Sequence, residues 1–132
     1  MPNYKPIDAG VALKAVASDL VGFQWDTDGV VADFILPDQP ERLLRVSFDL
    51  SCVVRILDEM ALSTEEDDTP EEGRVPDHFA YEVTESRFSR LQSGLWKEVN
   101  SPVAHYQFVT GWACVDVLTR ATPQFSVVER KS

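Results

Sequence analysis

The sequence predicts an α+β fold, a single domain over 1–132 built mainly on antiparallel β-sheet, with one or two short helices packed on one face. Three observations carry this. Apolar and polar residues alternate on both sides of Asp28-Gly29, giving a hairpin over 21–36. They alternate again on both sides of Thr110-Gly111, giving a second hairpin over 104–118. Apolar residues recur at helical spacing in two short stretches near 9–20 and 88–96. Strands joined by tight turns pair antiparallel, and a few helices then cover one sheet face.

Met1 to Pro6 reads as an extended lead-in. Asp8 is placed to cap a helix near 9–20, where Ala9, Ala12, Leu13, Val16 and Leu20 form one stripe, although Gly10 weakens it. Asp28-Gly29 suits a type I′ turn with both residues at positive φ. That turn pairs Thr27 with Val30, Trp25 with Ala32, Phe23 with Phe34 and Val21 with Leu36, a nearly apolar face. Pro37-Asp38-Gln39-Pro40 ends the strand. Leu44, Val46 and Phe48 then alternate with Arg45, Ser47 and Asp49. The stretch 50–62 fits a helix or a strand, and its β-branched residues favour a strand at 52–58.

Phe79, Tyr81 and Val83 alternate as a further strand, and Phe88, Leu91 and Leu95 predict one short helix ending near Trp96. A two-residue turn at Thr110-Gly111 pairs Val109 with Trp112, Phe108 with Ala113, Tyr106 with Val115 and Ala104 with Val117. Phe125 to Val128 forms the last strand, and the charged tail after it is expected to fray.

Charge is unevenly distributed. The chain has 22 acidic and 12 basic residues, a net charge of −10. Asp58, Glu59, Glu65, Glu66, Asp67, Asp68, Glu71 and Glu72 lie in one window without a basic residue. Outside that window the chain is nearly neutral. Prolines and a glycine among like charges predict a mobile acidic loop at about 63–76. Its carboxylates Glu65, Glu66, Asp67, Asp68, Glu71 and Glu72 are the candidate contacts for a basic protein partner, and a solvated loop is the competing reading. Arg87, Arg90 and Lys97 could instead dock the loop within the chain. Such acidity argues against nucleic acid and anionic membrane as partners. No stretch approaches the ~20 apolar residues that span a bilayer, and the N-terminus lacks a signal-peptide pattern. Cys52 and Cys114 sit among apolar neighbours and read as buried thiols outside any disulfide. Together these features point to a cytoplasmic protein.

One constellation could carry chemistry. In the register above His105 lies opposite Asp116 and Gln107 opposite Cys114, all on the face away from the core with Trp112. His105, Cys114 and Asp116 are therefore the candidate catalytic residues, the imidazole activating the thiol and the carboxylate orienting the imidazole. The simpler reading is a half-solvated sheet face with one cross-strand pair. Trp25-Asp26-Thr27-Asp28-Gly29 does not make a calcium loop, because Gly29 at the sixth position puts Ile35 at the twelfth. The two His and two Cys lack zinc-site spacing, His78 reads as a solvated residue beside a strand, and no phosphate loop or nucleophile elbow is present. No metal or cofactor is expected.

The favoured function is a non-catalytic protein-binding or regulatory domain of the inhibitor or immunity type. The alternatives are a small-molecule-binding domain or minor enzyme using the His105, Cys114 and Asp116 face, and a homo-oligomer formed through sheet edges or exposed aromatics such as Trp112.

Overall fold

Alternation of apolar residues produces nine strands in the computed structural model, which describes residues 2–11, 13–49, 52–58 and 72–130. They are β1 (Asn3–Pro6), β2 (Leu20–Asp26), β3 (Gly29–Ile35), β4 (Arg42–Phe48), β5 (Cys52–Asp58), β6 (Ala80–Thr84), β7 (Ala104–Val109), β8 (Ala113–Thr119) and β9 (Gln124–Glu129). Two short helices, α1 (Arg87–Arg90) and α2 (Gly94–Val99), lie between β6 and β7. The five-stranded sheet runs β1-β6-β7-β8-β5 and the four-stranded sheet runs β2-β3-β4-β9, with every strand pair antiparallel. The prediction of a mainly antiparallel α+β domain holds, and the ambiguous stretch is a strand at 52–58.

The two sheets share one core. Val30, Ala32, Phe34, Leu44, Val46 and Phe48 face Ala80, Phe108, Val115 and Val117. Phe108 joins the layers, with its ring centroid 5.9 Å from Phe34, 6.3 Å from Phe48, 5.6 Å from Phe79 and 6.5 Å from Phe125. Tilted and edge-on rings of this kind add to the apolar area they bury.

Both hairpins form, each with its register shifted by two residues. The apolar face of the second packs on the core, but in the first only Val30, Ala32, Phe34 and Leu36 are buried, while Val21, Phe23 and Trp25 on β2 are exposed. Asp26 pairs with Gly29, so the turn is Thr27-Asp28 and Trp25 pairs with Val30. The Asp26 Oδ1 accepts the Asp28 N–H at 2.8 Å, an Asx turn that fixes the earlier position. Neither Thr27 nor Asp28 adopts positive φ, so the type I′ turn is not formed. Gly29 serves a different end. At φ 139° it passes so close to β4 that a Cβ there would overlap the Phe48 carbonyl oxygen. Gly29→Ala is therefore expected to cost about 1–3 kcal/mol, read as a lower urea midpoint with unchanged slope.

In the second hairpin Val109 pairs with Cys114, leaving Thr110 to Trp112 as the loop before β8. Thr110 accounts for this. Its backbone N–H donates to the Ala113 carbonyl at 3.0 Å, and its Oγ1 both donates to that carbonyl at 2.6 Å and accepts the Ala113 N–H at 2.9 Å. A two-residue shift preserves which side chains face inward, because side chains alternate with period two.

Two helix expectations fail. Among the described residues of 9–20 the helical turn present is a 3-10 turn, Ala15–Ala17, before β2 begins. Gly10 takes φ 85°, and Asp8 Oδ1 accepts its N–H at 2.8 Å instead of capping a helix. Ile7, Ala9, Val11 and Leu13 pack on the core, a period-two pattern that suits extended chain. The predicted helix through Leu95 is interrupted. Ser93 Oγ accepts the Trp96 N–H at 3.2 Å and starts α2 afresh, leaving Leu91 and Leu95 each 72% exposed.

The acidic window has fixed ends. Asp58 closes β5 at one edge of the five-stranded sheet, and Glu72 bridges Asn3 beside β1 at the opposite edge. Strand spacing puts those edges roughly 20 Å apart. The Tyr4 N–H donates to the Glu72 carbonyl at 2.7 Å, and Gly73, at φ 93°, lies where a Cβ would overlap the Tyr4 carbonyl oxygen. Tyr81 Oη donates to the Val75 carbonyl at 2.9 Å and accepts its N–H at 3.0 Å. Of the expected mobile loop at 63–76, residues 72–76 are bound to the sheet, and 63–71 lie outside the described residues.

Candidate functional site

The outer face of the five-stranded sheet is covered. Tyr4, Tyr81, Val83, His105, Gln107, Cys114, Asp116 and Leu118 point away from the other sheet, and all are buried. Alternation from the core residues of β6, β7 and β8 puts them there. Residues 72–78 cover one part of this face, and α1, through buried Ser86 and Phe88, covers another. The reading of a half-solvated face is therefore corrected. The polar side chains on it had to find partners inside the protein, because an unpaired buried polar group is costly.

They find them around Asp116. Its Oδ1 accepts from His105 Nε2 at 2.7 Å and from Gln107 Nε2 at 3.0 Å. Its Oδ2 accepts from Arg55 Nε at 3.2 Å and Nη2 at 3.0 Å. Arg55 and Gln107 are the residues directly opposite Asp116 on β5 and β7, while His105 reaches it diagonally. The second nitrogen of His105, Nδ1, lies 2.7 Å from Ser86 Oγ, and Ser86 Oγ accepts the Ser89 N–H at 3.1 Å as the cap of α1. Phe88 stacks edge-on to His105 at 5.4 Å and carries the Arg55 guanidinium 4.1 Å over its ring. Gln107 Oε1 accepts from Arg74 Nη2 at 3.3 Å, and Arg74 lies 3.9 Å over the Tyr4 ring.

Burial pushes the Asp116 carboxyl up. The hydrogen bond and charge of His105, the charge of Arg55 and the hydrogen bond of Gln107 outweigh that and hold it below the usual carboxylate range. An ionised Asp116 only accepts, so His105 Nε2 carries the proton, and in the neutral ring Nδ1 accepts from the Ser86 hydroxyl.

Serine, histidine and aspartate follow one another as in acyl-transfer enzymes, but through the opposite ring nitrogens. Ser86 is on Nδ1 and Asp116 on Nε2, where the triad has the serine on Nε2 and the carboxylate on Nδ1. The surroundings are unlike a reaction site. Ser86 and His105 are each 4% exposed and Asp116 0%. Ser86 Oγ is committed to the end of α1, so a substrate could reach it only if α1 lifted from the sheet. As placed, the array clasps α1 to the sheet and satisfies a buried carboxylate.

Of the three candidate catalytic residues, His105 and Asp116 meet and Cys114 does not join them. His105 stands opposite Leu118, four residues along β8 from Cys114, or roughly 13 Å of strand. Cys114 instead lies between Val109 and Leu57. Neither Cys52 nor Cys114 is in a disulfide. Burial, the larger effect, raises the Cys52 thiol despite its hydrogen bond with Thr119, which opposes a reactive thiolate.

Of the candidate partner contacts, Glu72 is exposed at the sheet edge, and Glu65, Glu66, Asp67, Asp68 and Glu71 lie outside the described residues. No group of three or more metal-ligating side chains converges among the described residues. A cleft of about 450 Å³ lies between residues 74–78 and the β7–β8 loop, lined by Arg74, His78, Tyr81, Val109 and Thr110. Its Tyr81 and Thr110 hydroxyls bind backbone, and His78 Nε2 donates to the Ile7 carbonyl at 3.1 Å, so these groups hold the walls together.

Ser86 and Arg55 are the residues of the array that sequence reasoning did not single out. Ser86, three residues before Ser89 at a helix start, carried a capping signal. Arg55, one charge within Val53-Val54-Arg55-Ile56-Leu57, carried the signal of a buried ion pair. No protein-family model matches the chain, and searches of curated proteins and of solved structures return no significant match. No helix of the described residues is long and apolar enough to cross a membrane.

Proposed function

We propose that this is a non-catalytic binding domain of the inhibitor or immunity type, which acts by contact with a basic protein. The observation that carries the reading is the confinement of eight acidic residues to 58–72, with both ends of the segment fixed at opposite edges of one sheet. A localised field of one sign steers and orients a partner of the other sign, whereas dispersed charge mainly keeps a protein in solution. Burial of the His105–Asp116 array under α1 also favours this reading over a catalytic or small-molecule site on that face. Two buried cysteines outside any disulfide suit a reducing compartment such as the cytoplasm.

Deleting 64–73 would be a poor test, because Glu72 and Gly73 hold β1. Neutralising Glu65, Glu66, Asp67, Asp68 and Glu71 to Gln or Asn removes five of the ten net negative charges and leaves those contacts intact. Wild type should retain a basic protein from native lysate at about 0.05 M salt and release it by about 0.5 M, as screening shortens the range of the field. The neutralised protein should retain roughly a tenth as much. A partner held equally by both proteins at both salt concentrations would contradict the proposal.

A further inference from the structure

The four-stranded sheet ends at β2, whose outward edge pairs with no other strand among the described residues. A bare edge presents alternate N–H and C=O groups to solvent, and proteins usually blunt it with lysine, proline, charge or a bulge. β2 reads Leu20-Val21-Gly22-Phe23-Gln24-Trp25-Asp26, with no lysine, arginine or proline. Its one irregularity lies at Leu20/Gly22, so 22–26 is regular strand. Phe23 and Trp25, two positions apart and on one face, are 37% and 62% exposed. The other edges are treated differently. β1 carries Lys5 and Pro6 and is bridged by Glu72, and β5 carries Arg55 and Asp58. β9 ends in Glu129, which pairs with Arg42 at 3.3 Å.

Charge indicates what would add to this edge. Asp26 and Asp28 are exposed at its end, and Gly29 packs on the backbone of Phe48 and Asp49, which brings exposed Asp49 to the same end. A second copy of the chain is disfavoured. Antiparallel pairing of two β2 strands centred on Phe23 would place Asp26 of each opposite apolar Leu20 of the other, between molecules that each carry −10. We infer that β2 docks an extended segment of a partner protein, with apolar residues at alternate positions against Phe23 and Trp25 and lysine or arginine at the end facing Asp26, Asp28 and Asp49. Main-chain hydrogen bonds along the edge would supply affinity, and the aromatic pair and carboxylates the selectivity. This rests on the binding-domain reading and gives the partner's form.

The test uses the full chain and short synthetic peptides of alternating valine and threonine with two lysines at one end or the other. A second set has the lysines replaced by glutamate, and a third has N-methyl groups along one edge. At about 0.15 M salt one lysine peptide should bind saturably and shift the backbone amide resonances of residues 21–26. N-methylation of the pairing edge, glutamate for lysine, or the surface double variant Phe23→Ser/Trp25→Ser should each weaken binding about tenfold. No binding, equal binding by the methylated peptide, or shifts elsewhere would overturn the assignment, as would self-association of the protein through β2. Capture of a salt-sensitive native partner equally well by the double variant would also overturn it while leaving the binding-domain reading in place. Loss of any salt-sensitive partner from wild type itself would remove that reading.

Discussion

Asp116→Ala is expected to lower the stability of the fold by about 3–5 kcal/mol, the range seen when one partner of a buried ion pair is removed. The carboxylate is fully buried and receives hydrogen bonds from His105, Gln107 and Arg55. Alanine removes all of these at once, including the Asp116 carboxylate that the Arg55 guanidinium, 23% exposed along its side chain, approaches at 3.0 Å. It also leaves His105 Nε2–H and the Gln107 amide facing a void. The measurement is the urea midpoint, with the slope checked for two-state behaviour. A loss below about 1 kcal/mol would place Asp116 in contact with water.

Acid should expose the same interaction. Because the folded carboxyl lies below its ordinary value, it stabilises the fold fully above the unfolded value of about 3.9. That contribution disappears as pH falls through the folded value. Asp116→Asn, which cannot ionise, should therefore differ most from wild type above about pH 5 and converge with it in stronger acid.

Phe108→Ala is the other large expected effect, about 3–5 kcal/mol. Phe108 is 1% exposed and its ring lies among Phe34, Phe48, Phe79 and Phe125, so alanine opens a cavity between the two sheets. Trp112→Ala is the natural comparison. Trp112 is larger but 53% exposed on the β7–β8 loop, and its removal should change stability by no more than about 0.5 kcal/mol. Equal losses at the two positions would contradict the assignment of core and loop.

Much of this architecture was legible in the residues themselves. Alternation located the strands at 44–48 and 125–128 and the inward faces of β3, β7 and β8, and β-branched residues favoured the strand at 52–58. The exposure of Val21, Phe23 and Trp25 on β2 was not foreseen. The registers were not legible from turn propensity alone, because the side chains of Asp26 and Thr110 bind backbone and move each turn. The helix near 9–20 failed for a related reason. The same residues read equally well as extended chain through Ile7, Ala9, Val11 and Leu13, and Gly10 decided between the two.

The buried polar array was half legible. His105 and Asp116 could be put on one face by counting along the hairpin, but the cover over that face came from α1, which no local pattern placed. One clue lay in β8 itself. Ala113-Cys114-Val115-Asp116-Val117-Leu118-Thr119 has apolar residues on both of its faces, with Cys114 and Leu118 flanking Asp116. A strand apolar on both faces is buried on both, and a lone acid within it requires buried partners.

His105 and Asp116 form a closed structural clasp beneath α1. The most direct measurement is the nitrogen-15 and proton spectrum of the His105 ring. The clasp predicts a Nε2–H resonance in slow exchange with water near neutral pH, shifted downfield by its bond to Asp116 and lost in Asp116→Asn. A His105 ring proton exchanging freely with solvent, or a resonance unchanged by that substitution, would contradict it.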